Sequence, residues 1–164
     1  MADQQQDPVM VRITAAIELG RAEDGDAARR RLTEVWDEIG PRGDPFHRCV
    51  LAHFAADVQP GVEAELMWDL RALAAAEEVT DERAQQYHGS LSVAGFYPSL
   101  HASLADDYRR LGDRQQAREH LRRAQDAVGV LGDDPYGRMI RGGIARIADE
   151  LADGPRSCDG GEAG

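Results

Sequence analysis

A histidine, a cysteine and an aspartate recur at helical spacing in one segment of the chain, and together they could hold a metal ion. Cys49, His53 and Asp57 stand at positions i, i+4 and i+8, and His47 precedes them. This spacing places three ligands on one slowly drifting helix face, where zinc could use them with a fourth ligand from elsewhere. The alternative is structural, because a buried cysteine completes an apolar stripe and a half-buried histidine bonds to a neighbouring carboxylate. We favour the structural interpretation and predict no metal and no cofactor.

Two adjacent arginines form a second candidate group. Arg109 and Arg110 follow Asp106 on a predicted helix. Guanidinium groups bind carboxylates bidentately, so this pair could hold a carboxylate of a bound peptide. Arginines near the carboxyl end of a helix are also ordinary solvated residues that the helix dipole favours. The sequence leaves both interpretations open.

Aromatic residues and a histidine gather where a helical pattern is interrupted. The segment 95–101 reads Gly-Phe-Tyr-Pro-Ser-Leu-His. Exposed loops of this composition often bind ligands, but Phe96 and Tyr97 could equally fill the gap that the break creates. Ser99 and His101 are too close along a helix start to act as a catalytic pair. The chain also lacks the glycine-rich and histidine-rich signatures of hydrolases, metalloproteases and dinucleotide-binding enzymes. We therefore predict that the protein is not an enzyme, with catalysis by the His47–Asp57 cluster as one alternative.

The charge balance excludes several kinds of partner. The chain carries 30 acidic and 19 basic residues, for a formal net charge of −11. An acidic protein repels phosphate backbones and anionic lipids, so we expect neither nucleic acid nor membrane as a partner. All basic residues are arginine, and lysine and asparagine do not occur. Schiff-base enzymes and phosphate-loop nucleotidases, which need a lysine, are excluded.

Cysteine usage and the amino-terminal sequence predict a cytoplasmic protein. The two cysteines, Cys49 and Cys158, cannot form a disulfide framework. The polar start of the chain does not resemble a secretory signal, and no apolar run of about 18 residues could cross a membrane. The absence of lysine and asparagine is typical of a GC-rich genome and, with the resemblance described below, indicates an actinobacterium.

The hydrophobic periodicity predicts an all-α protein with short connections. Residues 1–8 and 153–164 are predicted to be disordered tails on either side of a single domain, 9–152. Pro98 predicts a break between two helices rather than one bent helix, because proline costs about 3 kcal/mol inside a helix. The predicted helices are 8–22, 26–39, 45–58, 62–79, 82–94, 98–111, 114–130 and 136–152.

The best-defined pattern in the chain lies between Leu104 and Ala124. It reads Leu-Ala-x-x-Tyr-x-x-x-Gly-Asp-x-x-x-Ala-x-x-x-Leu-x-x-Ala and describes two amphipathic helices joined by a Gly-Asp turn. The pattern resembles the tetratricopeptide repeat. A weaker copy covers 15–41, with Glu23-Asp24 in place of Gly-Asp, and a third covers about 44–79. The resemblance implies about three antiparallel hairpins stacked as a short right-handed superhelix, with 136–152 as a carboxyl-terminal cap helix.

The resemblance also implies a function. In tetratricopeptide arrays the first helix of each pair lines a concave groove that holds a peptide or protein segment. The matching face contains Ala102 and eight predicted peptide-binding residues: His47, Leu51, Phe54, Tyr97, Ser99, Asp106, Arg109 and Arg110. The absence of lysine and asparagine argues against the chaperone-tail class, whose carboxylate clamp uses both residues. We predict a protein- or peptide-binding scaffold of unidentified partner, and a homo-oligomer stays open. The alternative is a ligand- or peptide-sensing module that acts in trans on a bacterial regulator.

Overall fold

The computed structural model describes residues 6–154 as a chain of helices joined by short turns. Seven of the eight α-helices are long, and the fifth has 7 residues. Short 3₁₀ segments, Val93–Phe96 and Val128–Val130, precede α6 and follow α7. The α-helices are α1 (Pro8–Arg21), α2 (Gly25–Ile39), α3 (Pro45–Asp57), α4 (Val62–Ala76), α5 (Asp81–Tyr87), α6 (Tyr97–Leu111), α7 (Arg114–Ala127) and α8 (Pro135–Ala152).

The predicted all-α class is confirmed for the described residues, which contain no β-strand. The predicted break before Pro98 is also present, but the helix predicted over 82–94 ends at Tyr87. Residues 1–5 and 155–164, which make up most of the predicted tails, lie outside the described residues. Asp7 and Pro8 belong to the structure, because the Asp7 carboxylate accepts hydrogen bonds from the first amides of α1 and Pro8 is the first residue of that helix.

Three helix pairs form the body of the protein: α1 with α2, α3 with α4, and α6 with α7. Alanines are buried in each pair, where a methyl side chain lets two helix axes approach more closely than a leucine does. α4 packs on α6, and α8 packs on both α6 and α7. The buried alanines of the three pairs are Ala16 and Ala28; Ala52, Ala55, Ala56, Ala72, Ala75 and Ala76; and Ala105, Ala117 and Ala124.

The first and third pairs turn in the same way despite different turn residues. Gly112 has a φ of 84°, and Glu23 occupies the equivalent position with a φ of 66°. The next residue is an aspartate in both turns, and its carboxylate accepts a 3.1 Å hydrogen bond from the backbone amide three positions later. The backbone amides of these aspartates, Asp24 and Asp113, donate hydrogen bonds to the carbonyl oxygens of Leu19 and Tyr108 at 3.1 and 2.9 Å. The sequence pattern therefore marks one structural unit that occurs twice.

A pair of histidines joins α6 to α7 inside the third helix pair. His101 Nδ1 and His120 Nδ1 lie 3.0 Å apart in buried surroundings. Burial lowers the pKa of His101 to about 4, with a further contribution from the nearby His120, and burial also lowers the pKa of His120. Both rings are neutral at neutral pH, so one nitrogen donates and the other accepts. Tyr97 stacks on His101, and Tyr108 stacks on His120.

The matched turns predict opposite effects of two substitutions. Glu23→Gly should raise the free energy of unfolding by about 0.5–1 kcal/mol, because a non-glycine residue is strained at positive φ. Gly112→Ala should lower it by about 1 kcal/mol for the same reason. Urea denaturation followed by circular dichroism measures both effects. If the two substitutions change stability in the same direction, the turns do not share this geometry.

Candidate functional site

A groove crosses the first helix of each pair and continues onto α8. Its central part encloses about 430 Å³ between α3, α6 and the first turns of α8, with Arg21 of α1 at one end. A smaller hollow of about 270 Å³ adjoins it between α1 and α3, and another of about 240 Å³ adjoins it between α6 and α8. Asp57 lines all three parts. We call this feature the concave groove.

Apolar side chains make up most of the central lining. Val50 and Phe54 come from α3, and Phe96 comes from the 3₁₀ segment before α6. Tyr136 and Met139 of α8 form the opposite rim, with 48% and 62% of their surfaces exposed. Exposed large apolar groups beside a concavity are typical of binding sites in proteins.

The position of α8 is fixed at both ends. At its start, the Asp134 carboxylate accepts a 2.7 Å hydrogen bond from the Gly137 amide, and Pro135 occupies the first turn. The Arg141 guanidinium donates to backbone carbonyls of the α7–α8 connection, among them Leu131 at 2.7 Å. At its end, Arg109 of α6 pairs with Glu150 at 2.9 Å. These contacts hold the exposed residues of α8 opposite α3.

A buried polar cluster lies where α3, α4 and α6 meet. Asp69 of α4 is 4% exposed and Asp107 of α6 is 2% exposed. His53 of α3 lines the groove, and its Nδ1 lies 3.5 Å from Asp69 Oδ1. Glu65 of α4 pairs with Arg110 of α6 at 2.6 Å. One oxygen of each buried carboxyl group lacks a hydrogen-bond partner among the described residues.

The environment of this cluster changes the protonation of its members. Burial, together with the neighbouring Asp69 and Glu65 carboxylates, raises the pKa of Asp107 well above its ordinary value, so Asp107 is protonated at neutral pH. Although burial disfavours the imidazolium, the nearby Asp69 and Asp57 carboxyl groups raise the pKa of His53. Partial burial and the charges of Asp69 and Glu65 raise the pKa of Asp57.

Of the predicted peptide-binding residues, Phe54, Ser99 and Asp106 line the concave groove, as does Ala102. The other five predicted residues do not line the concave groove. Leu51 is fully buried in the core, and Tyr97 packs against the core and stacks on His101. Of the remaining three, His47 contacts the Asp7 carboxylate, and Arg109 and Arg110 are held in ion pairs within the chain.

The two arginines predicted to grip a peptide carboxylate hold carboxylates of this chain instead. Arg109 donates to Asp106 at 2.8 Å and also pairs with Glu150. Arg110 contacts both carboxylate oxygens of Glu65, at 2.6 and 3.1 Å. These ion pairs connect α6 to α4 and to α8.

The structure directs His47 away from the other three residues of the hypothetical metal cluster, which all line the central groove. His47 Nε2 lies 2.6 Å from the Asp7 carboxylate, and Arg83 of α5 reaches both Asp7 and Asp44. Burial raises the pKa of the Cys49 thiol to about 12, so in this structure Cys49 is a protonated thiol at neutral pH. Residues 6–154 contain no group of three or more side chains placed to hold a metal ion.

Several residues of the groove escaped the sequence analysis. On α3, Phe54 of the predicted set His47, Leu51 and Phe54 lines the groove, together with Val50, His53 and Asp57, which were not predicted as peptide-binding residues. Tyr136 and Met139 belong to the predicted cap helix and were not assigned to a binding face. The spacing of Tyr136, Met139 and Ile140 is a signal for an apolar face on α8, but it does not reveal which neighbour that face meets.

Comparisons of the chain with protein-family models, with curated proteins and with solved structures find no match. Within residues 6–154, no helix is both long enough and apolar enough to cross a membrane. The groove and the charges around it are therefore the features of the molecule that bear on its function. The groove lining offers apolar contact, carboxylates, one imidazole and the guanidinium groups of Arg21 and Arg146, whereas Asp69 and Asp107 are buried behind it.

The protonated state of Asp107 predicts a pH-dependent effect of Asp107→Asn. Because the folded protein raises this pKa, the carboxyl group costs increasing stability as the pH rises above its unfolded pKa of about 3.9. Asparagine is neutral at every pH and avoids that cost. The variant should therefore be more stable than the wild type at pH 8, by about 1–3 kcal/mol, and the difference should shrink at pH 5. Urea denaturation at the two pH values measures this.

Asp126→Asn is the control, because Asp126 is exposed on α7. It should show no such pH-dependent difference. An Asp107→Asn variant that is less stable than the wild type at pH 8 would contradict the assigned proton.

Proposed function

We propose that this protein is a non-catalytic scaffold that binds a peptide or protein segment of a partner in the concave groove. The observation that carries the proposal is the groove itself, which crosses α1, α3 and α6 and exposes large apolar side chains at its rim. A bound segment would cover Phe54, Tyr136 and Met139, and the burial of apolar surface would supply the main driving force.

The arrangement of the helices supports a scaffold of the tetratricopeptide type. Three helix pairs follow one another, and the first and third share the same aspartate-capped turn. In our proposal the pairs stack as a short right-handed superhelix, α8 is the cap helix, and α5 is an insertion between the second and third pairs. The composition, with two cysteines and neither lysine nor asparagine, favours a cytoplasmic protein of a GC-rich bacterium such as an actinobacterium.

Binding fits the groove better than catalysis does. The Cys49 thiol is protonated at neutral pH, and the two carboxyl groups with the most unusual surroundings, Asp69 and Asp107, do not line the groove. The apolar and polar side chains that do face the groove can contact the side chains and the backbone of a bound peptide.

A pair of double variants tests the proposal. A random decapeptide library displayed on phage is selected against the wild type, and the dissociation constants of selected peptides are measured by fluorescence anisotropy. Tyr136→Ala/Met139→Ala should weaken binding about tenfold or more, because two apolar anchors of the rim are removed. Both side chains are exposed, and alanine favours a helix, so the fold should be retained.

The control is Met67→Ala/Leu70→Ala on α4, whose side chains are exposed to a similar extent but do not line the groove. This control should bind the peptides as the wild type does. Equal losses in both double variants, or no loss in either, would contradict a binding site in the concave groove.

A further inference from the structure

Asp57 stands out among the charged residues of the groove because no cation of the described chain pairs with it. It lines all three parts of the groove, yet it forms no ion pair within residues 6–154. It is also the last residue of α3. A carboxylate at that position meets the negative end of the helix dipole, which is unfavourable. Its favourable electrostatic neighbour among the described residues is the His53 imidazole, one turn earlier on α3.

The cations near the groove are already occupied. Arg21 pairs with Glu18 of its own helix at 3.0 Å, and Arg146 pairs with Glu150 at 3.3 Å. Arg109 forms ion pairs with both Glu150 and Asp106. The positive and negative charges of these ion pairs cancel, and the negative charge of Asp57 is not part of any of them.

The cluster behind the wall does not cancel this negative charge. Glu65 is balanced by Arg110, and Asp107 keeps its proton. His53 lies 3.5 Å from Asp69 and also interacts electrostatically with Asp57. Asp57 is exposed to solvent at the groove lining, so a cation of a bound segment can reach its carboxylate.

Apolar surface surrounds that carboxylate. Phe54 lies one turn before Asp57 on α3 and lines two of the same hollows, and Val58 follows Asp57 in the hollow beside α1. An arginine or lysine side chain suits such surroundings, because its aliphatic stem packs on apolar groups while its charged end reaches a carboxylate.

We infer that the segment bound in the concave groove carries an arginine or lysine whose cation pairs with Asp57, next to an apolar side chain seated between Phe54 and Met139. This inference rests on the proposed function and specifies the chemistry of the partner. The partner is a basic, amphipathic protein segment.

The phage-displayed decapeptide library also tests this inference. Some peptides selected on the wild type should bind Tyr136→Ala/Met139→Ala more weakly. These peptides should contain an arginine or lysine beside an apolar residue. Asp57→Asn should weaken these peptides about tenfold, and Asp57→Glu should restore most of the affinity. Asp126→Asn removes the same formal charge from an exposed site on α7 and should leave the affinity unchanged.

The outcomes separate the inference from the proposed function. Consider the peptides whose binding is weakened by Tyr136→Ala/Met139→Ala. If these peptides lack basic residues, or bind Asp57→Asn as tightly as the wild type, the inference is wrong while the groove still binds peptides. If Asp126→Asn weakens binding as much as Asp57→Asn does, the attraction is a property of the net charge and the inference is again wrong. If no selected peptide depends on the rim, both the inference and the proposed function are overturned.

Discussion

Close packing of alanines within each helix pair is the constraint on which the rest of the structure depends. The α3–α4 pair illustrates it, because Ala52, Ala55, Ala72 and Ala76 are all buried. Small side chains at these positions let the two helices approach closely and leave little room for larger ones. The larger apolar side chains of α3 are divided between the core, where Phe46 and Leu51 are buried, and the concave groove, where Phe54 lies.

The same close packing explains why a polar cluster is buried beside the groove. α4 packs on α6, and the short side chains there leave Asp69 and Asp107 facing one another away from water. Burying two carboxyl groups together costs stability unless one keeps its proton. His53 connects this cluster to the groove, because it contacts Asp69 on one side and lines the groove on the other. The buried cluster thus influences the charge at the groove lining, although its carboxyl groups are not exposed there.

The sequence predicts the elements of this fold better than it predicts the site. Helix boundaries depend on local signals such as the Asp134-Pro135 start of α8 and the Gly112-Asp113 turn, and these signals act over a few residues. The groove depends on which helix faces meet, which is a property of tertiary packing. On α3, Leu51 is buried in the core while the adjacent Val50 lines the groove, and hydrophobicity alone does not distinguish the two. Likewise, nothing local in the sequence shows that Met139 lies opposite Phe54.

Methionine methyl groups offer the most direct measurement of where a peptide binds. The described residues contain Met10 in the core, Met67 exposed on α4 and Met139 at the rim of the groove. The protein labelled with ¹³C at the methionine methyl groups is titrated with a peptide from the decapeptide selection and followed by NMR. Binding in the concave groove predicts that the Met139 signal shifts in proportion to occupancy while those of Met10 and Met67 stay in place. A peptide that shifts Met67 and leaves Met139 unchanged would contradict the account.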